Sequence, residues 1–432
     1  MIHPVQADPT VPPADLKQQV VAAFDRYMEV WEFDDYWTRA NTFEAAIEFV
    51  TAARKLWPHD HEVLTSVRKI DKVIFGNITY FQNKLSDIDA IWADDFGWCG
   101  NASLSARRYI LDFPDTEQIV KGAGTYLAIA DQCWRNLVDI GWDATDTARP
   151  VPHGCYNAPK VAQPSHTPFK NTVTNATFFL LCSRLYVTTR ELDGFDFKAY
   201  LAKSNAQYTW FDAWFNSDFG YLRPPGHPVQ MNARLIGERP IAPPDYERKQ
   251  MWEPGLIWSG DHGLMLAALT IYAAINPEAA PAALKVIRLL AVGLSRMFFD
   301  TSGVLQEAPF DKLFSGDPKD YVCGRGVLLR HLSSAPVLRV LGHDFRNNIL
   351  ATMSAVWNSR GDDDQFSASW NPGEAEAYAR AFKLSWGQGD GSVTWQLGNT
   401  DVINGILQAA GLDALTAAMR VWVAGSAELV SP

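Results

Sequence analysis

Thr177-Phe178-Phe179-Leu180-Leu181-Cys182 and Leu264-Met265-Leu266-Ala267-Ala268-Leu269 are the two stretches whose reading decides the fold. Each lies inside a longer helical pattern and is apolar nearly all the way round. Such a helix has no face to give to water, so other helices must cover every side. The helical reading extends outward from both. Residues 14–32, starting near Asp15, repeat Val20, Ala23, Phe24, Tyr27, Met28 and Trp31 at spacings of three and four. Residues 41–57 place Phe43, Ala46, Ile47, Val50 and Ala53 on one stripe, with Pro58 just after its end. Comparable patterns predict helices over 61–82, 88–111, 115–138, 172–190, 197–214, 261–275, 279–299, 322–341, 344–358 and 399–421. No sustained period-two alternation separates them. About twelve irregular helices without a repeat of fixed length argue against a solenoid. They predict an all-α (α/α)6 barrel, a toroid of paired helices forming one domain over 14–425 after a flexible segment 1–13.

The bulk composition agrees. The chain has 432 residues, 47% of them hydrophobic and 20% charged, which is globular composition with ample material for a large core. A net charge of -11 without a basic run argues against nucleic acid and anionic membrane surfaces as partners. Met1–Pro13 has neither a basic n-region nor an apolar h-region, and no uninterrupted apolar run reaches the length of a membrane span. The expectation is a cytoplasmic protein. Five widely spaced cysteines with no C-x-x-C read as buried thiols rather than as a disulfide framework or a zinc ribbon. No H-x-x-x-H or H-E-x-x-H spacing occurs, and His59-Asp60-His61 reads as a solvated turn, so neither metal nor other cofactor is expected.

Residues 142–168 and 218–255 resist helix assignment. They hold many Pro, Gly and His residues, including Arg223-Pro-Pro-Gly-His227 and Pro240-Ile-Ala-Pro-Pro244. Long loops on a rigid scaffold commonly build a site, and these two are expected to overhang the barrel mouth and restrict what enters it.

Ile91-Trp92-Ala93-Asp94-Asp95-Phe96-Gly97-Trp98-Cys99-Gly100 is the segment most pointed toward chemistry. Consecutive acids are ordinarily surface decoration, as Asp34-Asp35 and Asp362-Asp-Asp364 read. Here Trp92, Phe96 and Trp98 would desolvate the carboxyls, and mutual repulsion raises one pKa while leaving the other group ionised. One proton donor beside one nucleophile is the requirement of a retaining glycosidase. Helix capping is the competing account. Asn171 and Asn175 share one helix face, where they could bind sugar hydroxyls or bond to each other. Trp258-Ser-Gly-Asp261-His262-Gly263 opens an apolar helix, with Asp261 as its cap or as a pocket carboxylate and His262 as an acid–base partner or a structural histidine. The 16 tryptophans can fill a core or line a groove where sugar rings stack.

Taken together the chain resembles glycoside hydrolase family 76, the endo-α-1,6-mannanases, over most of its length. The carriers are Asp94-Asp95-x-x-Trp98, then Phe169-Lys-Asn171-x-x-x-Asn175-x-x-Phe178 with Arg184-Leu-Tyr186. Trp258-x-x-Asp261-x-Gly263 follows, leading into Leu266-Ala-Ala-Leu-Thr-Ile-Tyr272, and Cys323-Gly-Arg-Gly326-Val-Leu-Leu-Arg330 comes last. The resemblance implies an (α/α)6 barrel with the aspartate pair at its centre, Asp94 as nucleophile and Asp95 as acid/base. Trp98, Asn171, Asn175, Trp258, Asp261 and His262 are the expected carbohydrate-binding residues. Three departures stand out: Cys99 where the family has a second Trp, His153-Gly-Cys-Tyr-Asn157 where it has a Gly-rich stretch with a Trp, and Asp261-His262 where it has Tyr-Asn. Two other readings fit the same residues. One is a retasked intracellular barrel that isomerises, cyclises or eliminates a small molecule, with His262 and His331 facing its centre. The other is a non-catalytic glycan-binding protein, in which retention of both aspartates would be unexpected.

Overall fold

The structure is a computed structural model that describes residues 12–86, 88–114, 117–144, 151–157, 169–217, 221–222, 234–239, 257–307, 321–342, 344–371 and 400–428. In chain order the helices are α1 (Leu16–Val30), α2 (Tyr36–Leu56), α3 (His61–Val67), α4 (Ile70–Ser86), α5 (Ala93–Asp112), α6 (Glu117–Gly141), α7 (Thr172–Thr189) and α8 (Phe197–Asn216). Then come α9 (Ser259–Ile275), α10 (Ala280–Met297), α11 (Gly324–Leu332), α12 (Ala335–Leu341), α13 (Arg346–Asn358) and α14 (Thr400–Glu428). Between α8 and α9, β1 (Tyr221–Leu222) pairs antiparallel with β2 (Leu235–Ile236), Tyr221 opposite Ile236.

Burial separates the helices into two layers. α7 buries Thr174, Ala176, Phe178, Phe179, Leu180 and Leu181, which point in every direction from its axis, and α2 is buried without interruption from Thr38 to Arg54. These are inner helices. α10 buries one stripe (Ala283, Ile287, Leu290, Ala291, Leu294) and gives its other face to water. Packing order completes the picture: α2 lies against α5, α5 against α7, α7 against α9, α9 against α11, α11 against α14, and α14 returns to α2. The ring closes, with α6 on α5, α8 on α7, α10 on α9, and α1 and α13 on α14 outside it. This is an (α/α)6 barrel, as the sequence predicts.

Small residues set how closely the inner helices approach. A Cβ on Gly97 would overlap the Thr177 side chain, and one on Gly100 would lie 2.7 Å from Leu181 Cδ2. Asn101 locks the contact by donating from Nδ2 to Gly97 O and Thr177 O, both at 2.9 Å. The first turns of α5 and α7 are thereby brought side by side.

Several boundaries differ from the sequence reading. The segment 61–82 is two helices, α3 and α4, and 322–341 divides into α11 and α12. At the second break Ser334 is extended, and Pro336, which has no N–H to continue a ladder, sits in the first turn of α12. The β1–β2 pair falls within a stretch expected to be loop. Val402–Ala424 of α14 is, by length and composition, apolar enough to cross a membrane. It is 94% buried inside the protein as part of the inner wall. Residues 1–11, Arg223–His227 and Pro240–Pro244 lie outside the described residues.

Toward the C-terminal ends of the inner helices the core is ionic. Glu44 of α2 accepts from Ser105 Oγ (2.8 Å), Arg184 Nη1 (3.0 Å) and Arg330 Nη1 (3.2 Å). Arg330 also grips Asp413 with two bonds, Nε to Oδ1 at 2.8 Å and Nη2 to Oδ2 at 2.7 Å. Five inner helices, α2, α5, α7, α11 and α14, are tied through these groups. Removing one partner from a buried ion network strands the others without solvent, at a cost of about 3–5 kcal/mol. Arg330→Met should therefore lower unfolding stability by that amount in urea titration. A loss within the error of the measurement would show that the network does not hold the ring together.

Candidate active site

The N-terminal ends of the inner helices converge on a cavity of about 400 Å³. Trp37 comes from α2, Trp92, Asp94, Asp95 and Trp98 from the start of α5, and Asn171 and Val173 from the start of α7. Trp258 precedes α9 and Tyr321 precedes α11, while Asn157, Glu238 and Arg239 come from the connecting segments. Asn157 belongs to the 142–168 stretch and Glu238 and Arg239 to 218–255, so both predicted loops contribute to the wall.

Asp94 and Asp95 occupy the first turn of α5, whose N-cap position is Trp92, a side chain that makes no cap bond. The turn's own amides partly fill that role, since the backbone N–H groups of residues 94 and 95 favour the ionised Asp94. They do not win. Burial, reinforced by the negative charge of Glu238, pushes the Asp94 carboxyl up to about 7. Its Oδ1 is shielded and has no hydrogen-bond partner among the described residues. Trp98 meets Trp37 at 5.9 Å and Trp258 edge-on at 6.3 Å between ring centroids, forming an indole wall beside the carboxyls.

Glu238 was not singled out by the sequence reading, yet it organises the site. It accepts from Asn171 Nδ2 at 3.1 Å and from Val173 N at 3.3 Å, while its carbonyl accepts from Thr172 N at 3.0 Å and Gly237 O accepts from Thr172 Oγ1 at 2.7 Å. Asn171 occupies the N-cap position of α7 without making a side-chain cap bond, and Glu238 supplies the cap from a distant segment. Behind Glu238 lies Asp261, fully buried, with no N–H or O–H donor among the described residues. Its charged neighbour is the Glu238 carboxyl. Burial raises both pKa values, and for Asp261 the Glu238 charge raises it further.

Of the residues expected to bind carbohydrate, Trp98, Asn171 and Trp258 line the cavity with Asp94 and Asp95. Asp261 stands behind it. The first turn of α9 is instead capped by Glu307, which accepts from Ser259 N at 3.2 Å and from Ser259 Oγ. Asn175 spends both ends of its amide on structure. Oδ1 accepts from Cys155 N (2.7 Å) and Gln207 Nε2 (3.2 Å), and Nδ2 donates to Cys155 O (3.0 Å) and Asn171 O (2.8 Å). That pins a turn in which His153 and Gly154 have φ of 63° and 75° and where a Cβ on residue 154 would overlap Trp210. His262 is likewise satisfied. Nδ1 meets Trp258 O at 3.0 Å and Nε2 accepts from Ile236 N at 3.0 Å, which fixes the Nδ1–H tautomer. Burial depresses its pKa to about 4, so it is a neutral tie between β2 and α9. The five cysteines are free and buried.

No family model and no curated protein matches the chain. Solved structures do. A family 76 glycoside hydrolase from a bovine Bacteroides thetaiotaomicron strain aligns over 95% of this chain and 78% of its own, with TM-score 0.57 and 15% identity. Dfg5 from Chaetomium thermophilum, in complex with glucosamine, aligns over 98% and 92%, with TM-score 0.59 and 13% identity. An inactive variant of a Salegentibacter α-1,6-mannanase, with two consecutive aspartates replaced and α-1,6-mannotetraose bound, aligns over 93% and 100%, with TM-score 0.54 and 15% identity. At these identities the likeness establishes the fold.

The folded-state pKa of Asp94 lies above the value of about 3.9 in an unfolded chain. Its contribution to stability is complete below that value and is lost as pH rises through about 7. Asp94→Asn should therefore melt at a higher temperature than wild type at pH 8, with the gap closing toward pH 4. A variant less stable than wild type at pH 8 would mean that the ionised carboxylate is held by partners in the fold.

Proposed function

We propose that the protein is a retaining glycoside hydrolase that cleaves an α-linked, α-1,6-mannan-like glycan or glycoconjugate, with Asp94 as nucleophile and Asp95 as acid/base. The observation that carries this reading is the pair of consecutive carboxyls in the first turn of an inner helix at the barrel mouth, one of them desolvated beside an indole wall. The replaced aspartates of the inactive Salegentibacter mannanase, also consecutive, support it.

In the proposed reaction a sugar ring lies against Trp98 with its anomeric carbon at Asp94. Asp95 protonates the departing glycosidic oxygen as Asp94 forms the glycosyl ester. Asp95 then takes a proton from water, which opens the ester. Desolvation serves Asp94 in two ways. An ionised carboxylate of raised basicity is a stronger nucleophile, and the positive charge developing on the sugar ring offsets the cost of its burial. Asn171 keeps one amide oxygen unpartnered at the wall, an acceptor for a sugar hydroxyl. The carboxyls supply both charge stabilisation and proton transfer, so the proposed reaction needs no metal.

Two tests follow. With an activated aryl α-mannoside, Asp94→Asn should lose turnover by about a thousandfold or more, whereas Asp95→Asn should keep the first step and regain turnover with azide. Equal loss in both without azide rescue would contradict the division of roles. Because Asp94 must be ionised to attack, kcat/KM should rise with pH through a midpoint near 7, and Glu238→Gln should move that midpoint down by removing a neighbouring negative charge. A limb that falls through 7 would instead assign Asp94 the proton-donor role.

A further inference from the structure

The barrel has a second cavity, of about 730 Å³, at the opposite end, where the inner helices finish. Its walls are apolar, built from Ala52, Leu180, Ala267, Ile271, Val337 and Val421. Its floor is the ionic core described above, extended by Glu48, which accepts from Arg108 and from Arg420. The floor sets Arg108, Arg184, Arg330 and Arg420 against Glu44, Glu48 and Asp413, with Asp112 beside Arg108. Lys55, Arg339 and Arg346 also line the cavity, so among the described residues seven cations meet four carboxylates, with Arg339 exposed at the edge. In a protein whose net charge is -11 this is a reversal of sign.

Helix C-termini carry partial negative charge, but that field fades within the last turn. Arg184 and Arg420 sit more than a turn before Thr189 and Glu428, where α7 and α14 end, so the helix ends do not account for them. Half of the Arg108 side chain is exposed, and it donates to Glu48 through Nη2. Beside this cluster, His331 lines the cavity with Nε2 buried and unpartnered among the described residues. A buried polar nitrogen without a partner costs free energy that a ligand atom would recover. The volume falls within the range typical of small-molecule sites, and an apolar chamber with a few convergent polar groups is their usual make-up.

We infer that this cavity is a binding site for a small amphipathic anion, its apolar body against Leu180 and Ile271 and its carboxylate or phosphate head at Arg108 and His331. Guanidinium groups recognise both head groups through paired N–H donors, so the two share one chemistry here.

Isothermal titration of the full chain with octanoate and with octyl phosphate separates the two head groups, with octanol and inorganic phosphate as controls for tail and charge. One equivalent of at least one amphipathic anion should bind, and both controls should bind at least tenfold more weakly. Arg108→Gln should weaken binding about tenfold or more. Arg339→Gln, at an exposed position that cannot unfold the core, should weaken it by a smaller factor. Asp94→Asn should leave it unchanged, since the two cavities lie at opposite ends. Octanol binding as tightly as the anions, binding lost in Asp94→Asn, or no binding of either anion would overturn the inference.

Discussion

Outer helices return the chain between successive inner helices, so the ring in which α14 packs back on α2 sets the N-terminal ends at one mouth and the C-terminal ends at the other. The two mouths then differ in kind. At the first, unsatisfied amides of the opening turns favour acceptors, and the chain places carboxyls and amide oxygens there. At the second, arginines are threaded among carboxylates. The close approach of α5 and α7 at Gly97 and Gly100 sets how near Asp94 and Asp95 stand to Asn171 and to the Glu238 that Asn171 holds.

The electrostatics of the first mouth follow from this arrangement. Glu238 caps α7 and so is held near Asp94, while the buried Asp261 carboxyl has no hydrogen-bond donor among the described residues. Burial raises the pKa values of Asp94, Glu238 and Asp261, and the negative charge of Glu238 adds to the rise at Asp94 and Asp261. The cavity is thus prepared for a ligand that develops positive charge. The indole wall of Trp37, Trp98 and Trp258 offers apolar faces on the side where a sugar ring would lie.

Much of this was legible in the sequence because it depends on local pattern. Phe178 to Leu181, apolar all round, could be nothing but an inner helix, and the aromatic neighbours of Asp94 announced its desolvation. Arg184 and Arg330, part of the motifs that carried the resemblance, proved to be partners of one buried glutamate. What escaped depends on contacts distant in the chain. Glu238 reads as one acid in a Pro-rich loop, and only its bonds to Asn171 and Val173 reveal its place. His262 read either as an acid–base partner or as a structural histidine, and the N–H of Ile236 occupies the nitrogen that the first role would need. Asn175 likewise faced a choice between substrate and structure that the turn at Cys155 decides.

The proposed reaction centres on a covalent bond between Asp94 and a sugar. The most direct measurement is mass spectrometry of peptides after incubation with a fluorinated, activated α-mannoside that slows the second step. One added glycosyl mass per chain is expected, carried by the peptide containing Asp94 and located on that residue by fragmentation. Label on Glu238, or turnover of the parent glycoside with inversion at the anomeric carbon, would contradict it.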